Sequence, residues 1–196
     1  MKTIGITGPT GAGKTTALQT LAAMGVHIID ADAVYHDLLV RSIPLQEALI
    51  ARFGRGILAG GQIDRKALGQ VVFGDPAALA DLNLITRRFI SGAIREQTQA
   101  AAQAGRRGVA IDAIGLIESG LACDATVAIL APKEVRICRI MAREGISEDY
   151  ARRRVEAQQP DSFYRTHCGY VLENNGTEPI EAFQQRAAAL FAQLLT

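Results

Sequence analysis

Along this chain, short apolar runs alternate with stretches whose apolar residues recur every three to four positions. The first pattern marks buried strands and the second amphipathic helices, so their alternation predicts an α/β fold with a five-stranded parallel sheet flanked by helices. Strands are expected at residues 2–7, 26–29, 108–112, 126–130 and 169–172. Pro132 stops the fourth, and the turn Asn174-Asn175-Gly176 follows the fifth. A helix over 14–24 puts Leu18 and Leu21 on one face and ends at Gly25. Another begins around Asp30-Ala31-Asp32 and runs through Leu39. The last starts at Pro179, a favoured first-turn position, and carries the stripe Ile180, Phe183, Ala187, Leu190, Phe191 and Leu194.

Two mostly helical insertions interrupt the strands. Residues 44–105 separate the second strand from the third, and within them Asp75-Pro76 starts a helix that spaces Leu79, Leu82, Ile85, Phe89 and Ile90 on one side. Residues 133–167 separate the fourth strand from the fifth. The expected organisation is a core of residues 1–43, 106–132 and 168–196 carrying these two insertions.

Composition narrows the partners. A chain of 196 residues should bury about 70% of its unfolded surface, so it needs no structural metal or disulfide. Twenty-one Lys+Arg against twenty Asp+Glu leave a net charge of +1, which argues against a dedicated nucleic-acid or anionic-membrane binder. The longest apolar region, 108–132, is broken by Asp112, Glu118 and Asp124, so no membrane span is expected. The first residues lack the apolar core of a secretion signal. Cys123, Cys138 and Cys168 form no metal pattern and are expected to be small buried hydrophobes in a reduced, cytoplasmic protein.

The strongest chemical signal follows the first strand. Gly8-Pro9-Thr10-Gly11-Ala12-Gly13-Lys14-Thr15 fits G-x-x-x-x-G-K-[ST], between a strand and a helix. Gly11 and Gly13 permit the positive φ angles that turn several N–H groups onto phosphate oxygens. The helix from Lys14 adds the positive end of its dipole, Lys14 reaches the β and γ phosphates, and Thr15 offers a hydroxyl to Mg²⁺. Gly8, Thr10, Ala12 and Thr16 complete the expected nucleotide-contacting set. The motif gives nucleotide binding, not an activity. No guanine-reading Asn-Lys-x-Asp is present, and a short chain with two helical insertions suits a small-molecule kinase, one insertion holding the acceptor and the other closing as a lid.

Carboxylates and arginines supply the remaining candidates. Asp32 stands just past the second strand, at the edge where α/β ligands bind, and is either the carboxylate that serves an acceptor hydroxyl or a helix N-cap. Asp112 ends the third strand and is either a ligand of Mg²⁺ or its waters, or a solvated strand end; Glu118 is a weaker candidate on the substrate side. Arg136, Arg139 and Arg143 share one helix face, either as charges beside a nucleotide or as a solvated stripe paired with Glu134 and Glu144.

Beyond the phosphate loop, a longer set of residues falls in order: Ile29-Asp30-Ala31-Asp32, Phe53-Gly54, Ile63-Asp64-Arg65, Leu68, Val72-Phe73, Leu82-Asn83, Asp112 with Glu118-Ser119-Gly120-Leu121, Arg139 and Arg143, Gln158, and Val171-Leu172-Glu173-Asn174-Asn175-Gly176. With it the chain resembles the dephospho-coenzyme A kinases over nearly its whole length. The resemblance implies ATP- and Mg²⁺-dependent phosphorylation of the ribose 3′-hydroxyl of dephospho-CoA, the last step of coenzyme A synthesis. It implies a helical acceptor domain at 44–105 and a lid at 133–167, with Asp32 catalytic alongside Lys14, Arg139 and Arg143. Asp64 and Arg65 then face the acceptor, Asn175 joins the nucleotide site, and the protein is a monomer or weak oligomer. The chain departs from the family pattern at Thr86-Arg87, where His-Pro is usual, at Ile114-Gly115, and at Cys168-Gly169. A kinase of another small alcohol or nucleotide, and a nucleotide-dependent switch without catalysis, are the competing readings.

Overall fold

A computed structural model describes residues 1–196, which divide into two compact units, residues 1–29 with 100–196 and residues 30–99. In chain order the elements open with β1 (Thr3–Thr7), α1 (Lys14–Ala23), β2 (His27–Asp30), α2 (Ala31–Arg41), α3 (Ile43–Phe53), β3 (Leu58–Ala59), β4 (Gln62–Ile63), α4 (Arg65–Val72) and α5 (Pro76–Gln103). They continue with β5 (Val109–Asp112), α6 (Leu116–Ser119), β6 (Ala125–Leu130), α7 (Lys133–Glu144), α8 (Glu148–Glu156), α9 (Asp161–His167), β7 (Tyr170–Glu173) and α10 (Ile180–Leu194).

The five strands of the first unit form one parallel sheet in the order β2-β5-β1-β6-β7. β1 is central, with Ile4 opposite Ala110 on one side and Ala125 on the other. Its near-continuous apolar run is what a strand buried on both faces requires. On one face Ile4, Ile6, Val127 and Ile129 meet Leu21 of α1 and Phe183, Ala187 and Phe191 of α10. Each large apolar side chain so buried contributes about 1.5–3 kcal/mol relative to exposure. The register also carries the site: Ile6 pairs with Asp112, so the loop after β1 and the end of β5 emerge at the same sheet edge.

The second unit has its own core of Leu39, Leu45, Leu49, Ile57, Leu68, Val72 and Ala78. Its helix starts are capped by side chains: Ser42 Oγ accepts from Leu45 N–H at 3.3 Å, and Asp64 from Lys66 and Ala67 N–H at 2.8 and 3.4 Å. Because Leu39, Tyr35 and Leu38 pack into this core, α2 belongs to the second unit, whereas the sequence pattern kept residues 1–43 with the first. The antiparallel hairpin β3–β4, turned at Gly60-Gly61, departs from the mostly helical pattern of this insertion. Its strands are two residues long, too short to show any alternation.

No helix is long and apolar enough to cross a membrane. Cys168 is buried, and burial together with the neighbouring Asp124 pushes the half-buried Cys123 thiol up to about 11. Cys138 corrects the expectation for the cysteines: it is exposed, because on α7 the core side is taken by Ile137 and Ile140.

Candidate active site

The loop between β1 and α1 is held mainly by its carbonyls. Arg139 Nη1 donates to the Gly11 and Ala12 carbonyls at 3.2 and 3.3 Å, and Asn174 Nδ2 donates to Ala12 O at 3.0 Å. Arg139 Nη2 in turn donates to Asn174 Oδ1 at 2.9 Å. Arg136 Nε donates to Thr10 O at 3.0 Å. Three consecutive carbonyls are thus turned toward α7 and the end of β7. Ala12 N–H closes a tight turn onto Pro9 O at 3.2 Å. The N–H groups of Gly11, Gly13, Lys14 and Thr15 take no partner in the protein.

The glycines make this possible. Gly13 has φ 101° at the N-cap of α1, and a Cβ there would stand 2.1 Å from Asn174 Nδ2. Gly11 has φ 83°. Four unpaired donors in one turn, at the positive end of a ten-residue helix, make an anion site. Lys14 adds a full charge, its Nζ 2.6 Å from Asp112 Oδ1. Both groups are about one-fifth exposed, so the ammonium is fixed by an acceptor yet reachable from solvent. The second oxygen of Asp112 takes no hydrogen bond.

The other expected residues fall into distinct settings. Gly8 is buried, and a Cβ on it would clash with Ile129 O at 2.2 Å, so it is needed for the packing of the sheet edge. Thr15 is exposed on the first turn of α1, while Thr16 N–H is already spent on Gly13 O at 3.1 Å. Asn174, buried at the end of β7, is the residue that meets the loop; its neighbour Asn175 is exposed. Arg143 is not drawn into the loop with Arg136 and Arg139: it stands more than half exposed at the end of α7, with Nη2 2.5 Å from Glu144 Oε1. Glu118 is exposed on α6.

In the second unit, Asp30 and Asp32 have different roles. Asp30, not Asp32, is the N-cap of α2, its Oδ1 accepting from Ala33 N–H at 2.9 Å. Asp32 lies in the exposed first turn with no hydrogen bond or ion pair. Asp64 is the N-cap of α4, and Arg65 follows it, exposed.

Arg136 and Gln158 are the residues whose contact with the loop the sequence pattern did not isolate. Spacing put Arg136 one turn before Arg139, and that was a true signal, but spacing alone cannot tell a buried arginine from a solvated one. Burial works against the charge of both Arg136 and Arg139 and lowers their pKa values.

A phosphate loop on the central strand of a parallel sheet, followed through β5 to a facing carboxylate, defines a P-loop kinase. Residues 2–179 match the family model described as dephospho-CoA kinase. A dephospho-CoA kinase of Latilactobacillus sakei is 37% identical over 177 residues, covering 89% of this chain and 87% of that protein. Among solved structures, TT1252 of Thermus thermophilus superposes with a TM-score of 0.76 at 30% identity, covering 98% of this chain and 97% of that one. A dephospho-CoA kinase of Campylobacter jejuni shares the fold, with a TM-score of 0.66 at 24% identity over 98% of this chain and 96% of that one. The chain belongs to the dephospho-CoA kinase family. It is a transferase whose family activity is the ATP-dependent phosphorylation of dephospho-CoA in coenzyme A synthesis.

Proposed function

We propose that this chain transfers the γ-phosphoryl group of ATP to the ribose 3′-hydroxyl of dephospho-CoA. The observation that carries the reading is the row of unpaired N–H groups at Gly11, Gly13, Lys14 and Thr15, with the Lys14 ammonium beside them. Such a cradle binds the β and γ phosphates and stabilises the charge that spreads over the transferring group. Mg²⁺ suits the oxygens at hand: the Thr15 hydroxyl and the unengaged oxygen of Asp112 are hard donors, few enough that most of its shell would come from phosphate and water. When bound, it neutralises phosphate charge. As the chain's own part, Lys14 holds the γ-phosphate, Arg139 keeps the loop carbonyls turned away, and Arg143 offers a second guanidinium from the lid at 133–167.

Asp32 is proposed to orient the acceptor hydroxyl and to take its proton late in a loose transition state. Its freedom from any partner supports it over Asp30, whose carboxylate is committed to a cap. Asp64 and Arg65, and Glu118 on α6, are assigned to the acceptor, with residues 44–105 as its domain. The reading carries with it a cytoplasmic monomer or weak oligomer acting on a small molecule.

The test is a panel of acceptors with ATP and Mg²⁺: dephospho-CoA, other nucleotides, shikimate and simple alcohols. The expected result is stoichiometric ADP with dephospho-CoA alone and phosphate on the 3′-oxygen by ³¹P NMR. Turnover of another acceptor, or ATP binding without any turnover, would replace this function with the corresponding alternative.

A further inference from the structure

Thr10 immediately precedes Gly11 in the loop, and all three of its polar groups are taken by side chains from one region. Its N–H donates to Gln158 Oε1 at 3.1 Å, and its hydroxyl accepts from Gln158 Nε2 at 2.9 Å. Its carbonyl accepts from Arg136 Nε at 3.0 Å. Arg136 Nη2 closes the ring by donating to Gln158 Oε1 at 2.5 Å. Gln158 lies just beyond α8, and Arg136, on α7, is 2% exposed. Every hydrogen bond of this buried guanidinium goes to the loop or to the residue that also grips it.

The peptide groups explain what this does. The Thr10 carbonyl and the Gly11 N–H belong to the same peptide, as do the Ala12 carbonyl and the Gly13 N–H. In each pair the carbonyl is held by an arginine, Arg136 in the first and Arg139 in the second, while the N–H is left without a partner. A cationic donor on a carbonyl polarises the N–H across the peptide bond and makes it a stronger donor to an anion. It also fixes the plane of that peptide, and a phosphate cradle is sensitive to small misplacements.

We infer that Arg136 and Gln158 are a positioning pair for the nucleotide: they orient and polarise the Thr10–Gly11 peptide so that Gly11 N–H meets a phosphate oxygen, without touching the nucleotide themselves. The inference rests on the nucleotide-binding half of the function proposed above and not on the identity of the acceptor.

The test compares the wild type with Arg136→Gln, Gln158→Ala and the double variant. Titration with a non-hydrolysable ATP analogue and Mg²⁺ gives Kd, and steady-state kinetics give separate KM values for ATP and dephospho-CoA. Arg136→Gln is expected to weaken nucleotide binding about tenfold or more, and Gln158→Ala several-fold. The KM for dephospho-CoA should stay unchanged, and the double variant should fall short of the product of the two single effects, because the two residues hold one peptide. Restoration of most of the nucleotide affinity by Arg136→Lys, which keeps the charge and one donor, would also support the inference. A purely structural role would lower the melting temperature while folded molecules kept wild-type Kd and ATP KM, and that result overturns it. If Arg136→Gln fails to fold, Gln158→Ala alone decides, and an unchanged Kd there is equally fatal. A wild type that binds the analogue but ignores dephospho-CoA would break the acceptor assignment and leave this comparison intact.

Discussion

The phosphate loop and the first turn of α2 both carry expected catalytic groups, yet they are built in opposite ways. In the loop the carbonyl side is spoken for: three carbonyls are held by arginines and Asn174, Thr10 is gripped through its N–H, hydroxyl and carbonyl, and Lys14 is paired with Asp112. The N–H groups of Gly11, Gly13, Lys14 and Thr15 are left free. Around Asp32 the helix start is secured by Asp30, and the candidate carboxylate is exposed and unengaged. Nucleotide phosphates look the same in every turnover, so a rigid complementary site suits them. A carboxylate that must meet an acceptor hydroxyl gains from being uncommitted until the substrate arrives. On the proposed reading, the groups for anion binding are preorganised and the carboxylate for the acceptor is not.

The sharpest way to break that contrast is Lys14→Ala. It should lower turnover by about a hundredfold to a thousandfold or more, with circular dichroism showing a folded protein. Normal turnover would mean the loop does not serve the transferring phosphate. Next in size, Asp32→Asn removes the charge but keeps the shape. It is expected to cost at least about a hundredfold in kcat while a nucleotide titration stays near wild type. Asp30→Asn should instead keep its turnover and lose at most about 1 kcal/mol of stability through a weaker cap. If Asp30→Asn proves the more damaging to kcat, the roles of the two aspartates are reversed. Third, Arg139→Ala should weaken ATP binding through the freed loop carbonyls. Arg143→Ala, starting from an exposed pair with Glu144, should touch kcat and not Kd. Equal effects of the two on binding would erase the distinction between them.

The smallest effect concerns α7 and α8, which are joined on the outside by Arg152 to Glu134, at 3.0 Å, and by Arg154 to Glu144. Arginine hydrogen bonds hold both glutamates below their ordinary pKa. A depressed carboxylate contributes stability that is present above its unfolded pKa, about 4.3, and is lost as pH falls through the folded value. Acid titration of melting temperature should therefore show a slight extra loss below about pH 4 that is absent in the Glu134→Gln, Glu144→Gln double variant. High salt should shrink it, since exposed pairs are screened. An identical acid limb in both proteins would count these pairs as surface decoration.

What the sequence makes legible depends on range. The five strands and the loop were readable because each is a local pattern, an apolar run bounded by glycine or proline, or a spaced motif whose chemistry is complete within eight residues. The hairpin β3–β4 offered two-residue strands and no period to detect, with Gly60-Gly61 its only mark. The division of labour between Asp30 and Asp32 turned on where the helix begins, and a shift of one residue exchanges cap for first turn. The engagement of Arg136, Gln158 and Asn174 was illegible for another reason. Their partners lie 126, 148 and 162 residues away, and nothing local distinguishes an arginine that reaches a distant carbonyl from one that reaches water. Among the cysteines, hydropathy alone favours the interior for Cys138, and the phase of α7 puts it outside.

The position of β1 has a consequence for how the chain comes off the ribosome. Both of its hydrogen-bonded neighbours, β5 and β6, begin only at Val109 and Ala125, so the strand bearing the phosphate loop is made well before either and paired late. Meanwhile residues 30–99, whose core draws only on their own side chains, are complete and able to collapse. For that interval Ile4 and Ile6 lie on an apolar strand that has not met its partners. Closing a contact across more than a hundred residues is slow, so the wait is long compared with the folding of local helices. Strand order alone sets this delay, and β2 shares it, because its one neighbour in the sheet is β5.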